Sequence, residues 1–205
     1  MMIKFLITVS ILLGYVYANM APSYPEPGTV WKEGHNYEIT WFNDKQEPSI
    51  DKAWRKFKIE FMTGDNYDQK LLKVVARDLD GTQLKSYNWT APQVTPHSAV
   101  YFFKFTNDKG QSAWTTRFGI VGADGSLEKP EHITQPGGAK IPWGVGKLAG
   151  KNAQAVKSYP MTPAMATAAA DNANMEIAVS NNAFPSLPSM ITITSLLLAG
   201  LIFLA

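Results

Sequence analysis

Phe57, Ile59 and Phe61 alternate with Lys56, Lys58 and Glu60, the period of a strand that turns one face to a core and the other to water. Tyr37, Ile39 and Trp41 repeat the pattern, and so do Tyr101, Phe103 and Phe105, with Phe102 adding an apolar residue between them. Residues 71–76, 84–90 and 113–121 are further strand candidates, and 29–31 suit a first edge strand. Turn-forming residues separate these runs, at 32–34, 63–65, 80–81, 91–92 and 107–110. Residues 71–79 also fit a helical spacing, but their β-branched residues and the turns beside them favour a strand. About seven short strands in roughly a hundred residues predict an all-β fold, an immunoglobulin-like or fibronectin-like β-sandwich, over residues 19–122.

Beyond residue 122 the pattern stops. Segments 129–138 and 142–146 are rich in Pro and Gly, and 153–174 is poor in large apolar groups. A stretch of that kind buries too little to offset its ordering entropy, so 123–181 reads as a flexible, disordered stalk. The two ends carry addresses. Lys4, the apolar run 5–16 and Val16-Tyr17-Ala18 read as a signal peptide over 1–18, leaving Asn19 as the mature N-terminus. Residues 190–205 are uncharged and apolar; as a helix they span roughly 24 Å, short of the roughly 30 Å hydrocarbon core. The small residues Ser180, Asn181, Asn182 and Ala183, a short spacer and this tail together make a glycosylphosphatidylinositol (GPI) signal over 182–205. Asn181 is the expected anchor residue, with Ser180 and Asn182 as its rivals. The leader and the anchor signal corroborate one another, because a GPI anchor is attached only to a chain in the secretory pathway.

Composition narrows the function. The chain has no cysteine, so a secreted domain of this sequence closes on packing alone, for which 12% aromatic residues provide the material. A formal charge of +2 with Lys interleaved among Asp and Glu offers no cationic face for nucleic acid. His35, His97 and His132 are too widely spaced for a metal-ligand pattern. Asp65, Asp68, Asp78 and Asp80 fit no EF-hand loop and read as solvated turn residues. With no convergent carboxylate pair and no Ser/His/Asp arrangement, the expected function is non-catalytic, without cofactor or metal.

Two further readings concern the surface. Asn88-Trp89-Thr90 is the single Asn-x-Ser/Thr sequon; on an alternating strand Trp89 points inward while Asn88 and Thr90 face out, making Asn88 the expected glycosylation site. Trp54, Trp114 and Trp143 are candidates for stacking on sugar rings, because an aromatic face suits the apolar face of a pyranose. Trp143, in its Gly/Pro-rich setting, is expected to be the most exposed of the three, and the first two at least partly buried.

Three blocks carry a family resemblance: 28–41, containing Gly28, Trp31, Gly34, Tyr37, Ile39 and Trp41; 86–92, containing Tyr87, Trp89 and Pro92; and 112–120, containing Trp114, Arg117 and Phe118. They resemble the N-terminal domain of the fungal cell-wall β-1,6-glucan synthesis proteins, a domain that recurs in Ser/Thr-rich GPI-anchored membrane proteins. The resemblance covers about 25–121. It departs from the family in a long insert at 43–53 and in a stalk rich in Ala rather than Ser/Thr. It implies a β-sandwich displayed through a lipid anchor on the extracellular face of the plasma membrane or in the cell wall, with a part in wall organisation or β-glucan assembly. The alternative is a carbohydrate-binding or adhesion module that contacts wall glucan directly.

Overall fold

The computed structural model describes residues 20–45, 47–150 and, for the backbone alone, 157–160. The leader at 1–18, the anchor residue Asn181 and the tail at 182–205 lie outside the described residues, as does most of the stalk beyond 150.

Alternating burial builds two sheets. The first is three-stranded, in the order β1 (Met20–Tyr24), β3 (Asn36–Asn43) and β6 (Ser86–Thr90), antiparallel throughout. The second is five-stranded, in the order β12 (Lys157–Pro160), β5 (Asp68–Leu79), β4 (Phe57–Gly64), β8 (Tyr101–Asn107) and β9 (Ser112–Trp114). Two short pairs complete the fold: β2 (Val30–Lys32) runs parallel to β10 (Gly119–Val121), and β7 (Val94–Thr95) lies antiparallel to β11 (Lys147–Leu148). Within the expected long insert at 43–53, Ile50–Ala53 form a one-turn helix, α1.

The core lies between the sheets, and Trp31 is at its centre. Its ring stacks on Tyr37 at 4.7 Å with 2° between planes and meets Phe118 at 4.7 Å, Phe103 at 5.8 Å and Trp89 at 6.2 Å. Its indole N–H donates to the Tyr24 hydroxyl at 3.2 Å, so the buried polar edge is satisfied. Trp41, Phe57 and Phe105 continue the aromatic packing toward Trp54.

Residues 71–79, which suit either period, are strand. Strand β5 pairs with β4 through three register shifts, and Asp78 takes a left-handed φ of 56°. Bulges move side chains from one face to the other, so Leu72 and Leu79 are both buried although an odd number of positions separates them. The expected run 113–121 is two strands. The chain leaves the five-stranded sheet after Trp114 and crosses to lay β10 beside β2, where Gly119 N–H donates to Thr29 O and Glu33 N–H to Val121 O.

The expected boundary at 122 needs correction. As far as residue 150 the segment is packed on the sandwich rather than free of it: Gln135, Ile141 and Leu148 are buried. Composition misses this because the segment has few apolar side chains, and backbone bonds add to the hold of Ile141 and Leu148. Thr63 on β4 shares its hydroxyl proton between Val100 O and Gly144 O and accepts from Gly146 N–H at 2.9 Å, while Gly64 N–H donates to Gly144 O at 3.0 Å. Gly146 presses its backbone on the Tyr101 ring, where a Cβ would stand 2.4 Å from Cε1. Tyr101 is buried, donates to Pro96 O at 2.6 Å and cannot swing aside.

Gly146→Ala is therefore expected to destabilise the domain by about 2 kcal/mol, read by urea unfolding. A chain cut after residue 122 should melt well below one cut after 150; equal midpoints would mean that the packed segment adds nothing to the fold. Burial raises the Tyr101 phenol above its ordinary value. Above about pH 10 the unfolded chain thus sheds a proton that the folded one retains, and stability falls with rising pH. In a pH series of urea melts, Tyr101→Phe should lose stability less steeply than the wild type above that point.

Candidate functional site

The three candidate tryptophans do not form a common surface. Trp54 follows α1 and is fully buried, with its ring against Phe57 at 6.0 Å and its carbonyl accepting from Gly81 N–H. Trp114 lies on the outer face of the five-stranded sheet, yet it is only 5% exposed, because Met62 and Phe102 are clustered beside it. Lys104 Nζ is 5.9 Å from the Trp114 ring centroid, and the indole N–H donates to Gln69 Oε1 at 3.1 Å. Neither residue offers a face to a sugar, which corrects the stacking assignment for both. Trp143 is half-buried: His132 stacks on one of its faces at 4.1 Å, and its indole N–H donates to Thr134 O. Its loop also carries Ile133, 75% exposed, and Gly137 lies against the hydroxyl of Tyr67, itself 38% exposed.

A polar cluster that sequence reasoning did not find lies at the β4–β5 turn. Arg117 is buried, with its guanidinium carbon 4.2 Å from the Phe102 ring centroid and Nη2 donating to Gly64 O at 3.2 Å. Burial pushes its pKa down to about 10, partly offset by the Asp65 carboxylate. Gln69 is paired with Gly64 across the strands and is oriented by Trp114. Asn66 is held through its N–H by Gln135 Oε1, and Gln135 Nε2 donates in turn to Ile141 O, so the 135–141 loop is fastened over the turn. Arg117 Nε, Gln69 Nε2 and Asn66 Oδ1 are buried with no hydrogen-bond partner among the described residues. The available sequence signal was a charge at position 117 inside an otherwise uncharged stretch from 110 to 123.

The other titratable candidates are engaged in local structure. Asp65 Oδ1 accepts from Tyr67 and Asp68 N–H, and Asp80 Oδ1 from Thr82. Asp68 pairs with Lys70 and Asp78 with Lys56, the latter beside an open cleft of about 290 Å³ lined also by Lys58, Arg77 and Asp108. Among the described residues no three His, Cys, Asp or Glu are grouped to hold a metal. His35 is exposed, His97 lies 3.4 Å from Glu33, and His132 lies on Trp143. Asn88 and Thr90 are exposed on β6, while Trp89 between them is buried at 8% exposure.

Residues 24–120 match the family model of the Kre9/KNH-like N-terminal Ig-like domain. No curated protein matches the chain, and no solved structure does.

Burial ranks the tryptophans by expected cost. Trp54→Ala and Trp89→Ala should each destabilise by roughly 3 to 5 kcal/mol in urea unfolding. Trp143→Ala should change stability by no more than about 1 kcal/mol. A large loss on replacing Trp143 would identify it as a packing residue and remove it as a ligand candidate.

Proposed function

We propose that the chain, in which residues 24–120 form a Kre9/KNH-like N-terminal Ig-like domain, is a non-catalytic, GPI-anchored cell-surface protein that serves fungal cell-wall organisation or β-glucan assembly. The observation that carries this reading is the match itself, which spans the strands from the end of β1 into β10; the family is linked in general to cell-wall glucan synthesis. The terminal segments supply the address. A leader at 1–18 directs the chain to secretion, and lipid attached at Asn181 replaces the apolar tail. Among the described residues no helix is long and apolar enough to cross a membrane.

The carbohydrate-binding alternative rests on fewer residues than the sequence offered. Trp54 and Trp114 are committed to packing, which leaves Trp143 of the three tryptophans, with Tyr67 exposed near the same loop, to face wall glucan. Retention of the protein on insoluble β-glucan, abolished by Trp143→Ala without a change in thermal midpoint, would favour this second reading over a purely structural or partner-binding role. Absence of retention on any wall polysaccharide would dispose of it.

For the anchor, phosphatidylinositol-specific phospholipase should release the protein from membranes when the inositol is not acylated, and the mature chain should lack residues 196–205. Recovery of that terminal peptide from the mature membrane form would exclude GPI attachment.

A further inference from the structure

Strand β6 is the outer strand of the three-stranded sheet: it pairs with β3, and no strand lies on its other side among the described residues. Soluble proteins usually protect such an edge with a charged side chain, a proline or a bulge. The segment Ser86-Tyr87-Asn88-Trp89-Thr90 has no charge and no proline, and its pairing with β3 runs in register from Asn36↔Thr90 to Thr40↔Ser86 without a shift. Lys85, whose carbonyl accepts from Trp41 N–H, places one charge at the end of this edge and leaves the middle without one.

Asn88 is at the middle of this strand. Its side chain is exposed, and its amide makes no hydrogen bond among the described residues, whereas the Thr90 hydroxyl beyond it donates to Asn36 Oδ1. The surrounding outer face is nearly neutral. Across β3 it presents Asn36, Glu38 and Thr40, the last bonded to the Ser23 hydroxyl at 2.8 Å. Amides and hydroxyls of this kind tolerate a sugar lying over them, and the inward side chain between the two sequon positions leaves the core undisturbed.

We propose that Asn88 is an N-glycosylation site and that its glycan caps the open edge of β6, preventing that strand from pairing with a second copy of the chain. The proposal rests on the secretory route argued above. In the transfer, Asn88 Nδ2 bonds to C1 of the first sugar of an oligosaccharide carried on a lipid diphosphate. The C1–O bond to the phosphate breaks, the lipid diphosphate leaves, and the amide gives up one proton. Capping follows from bulk: a glycan in the middle of a short strand holds any approaching strand beyond the roughly 4.8 Å spacing that a ladder requires.

The test expresses the full chain in a eukaryotic secretory host in two forms, one with its own leader and one with a leader of proven secretion. Peptide N-glycosidase should increase gel mobility in both and convert Asn88 to Asp in the corresponding peptide. If only the second form is modified, the leader reading fails while the site stands. A secreted chain with unmodified Asn88 overturns the site. Asn88→Gln should abolish the mobility shift and raise cross-linked dimer on the cell surface several-fold over wild type, whereas Thr90→Ser, which keeps the sequon, should behave as wild type. Dimer levels unchanged in glycan-free Asn88→Gln would overturn edge capping.

Discussion

The packing of Trp31 is the constraint on which the fold depends. A cysteine-free domain has no covalent tie between its sheets, and the cohesion that a disulfide gives many sandwiches must come from buried aromatic area. Trp31 touches residues from both sheets: Tyr24, Tyr37 and Trp89 on one side, Phe103 on the other. It lies on a short strand that is itself held by β10, whose Ile120 is paired with it. The parallel β2–β10 pair thus positions the side chain around which both sheets close. The crossing of the chain between Trp114 and Gly119 brings β10 to that place.

Much of this was legible. Period-two alternation located β3, β4 and β8, although on β4 only Lys58 is left partly exposed and the face that carries Glu60 and Met62 is buried too. It worked less well where two adjacent assumptions failed. On β5, bulges change the phase, so Leu72 and Leu79 cannot be assigned to one face by counting. On the outer side of the five-stranded sheet, the wet face is locally apolar: Met62, Phe102 and Trp114 shelter one another, and the cation of Arg117 covers Phe102. Burial of Trp114 is a property of that cluster, drawn from three strands, and no local window contains it.

The packed segment beyond 122 was misread for a different reason. Composition estimates how much apolar surface a stretch can bury, but residues 144 and 146 are held by close backbone approach and by one hydroxyl, Thr63, that serves three backbone groups. Glycine permits such an approach by lacking a side chain. The same limitation concealed the polar cluster at the β4–β5 turn. Arg117, Gln69 and Asn66 are scattered in sequence and meet only after the strands pair and the 135–141 loop settles over them. The proposed terminal addresses, by contrast, rest on order and composition alone, and their residues lie outside the described ones.

Under the proposed anchoring at the C-terminal end, the attachment of Gly144 and Gly146 to Thr63 has a mechanical meaning. Tension arriving along the chain at Pro160 meets the β12–β5 ladder first, then the two-residue β11–β7 pair, and then the cluster of bonds at Thr63 and Gly64. These fastenings are in series along the chain, and none of them ties one sheet to the other. A pull too weak to separate the sheets can therefore open them one after another, letting out chain length as each yields, while the sandwich keeps its shape.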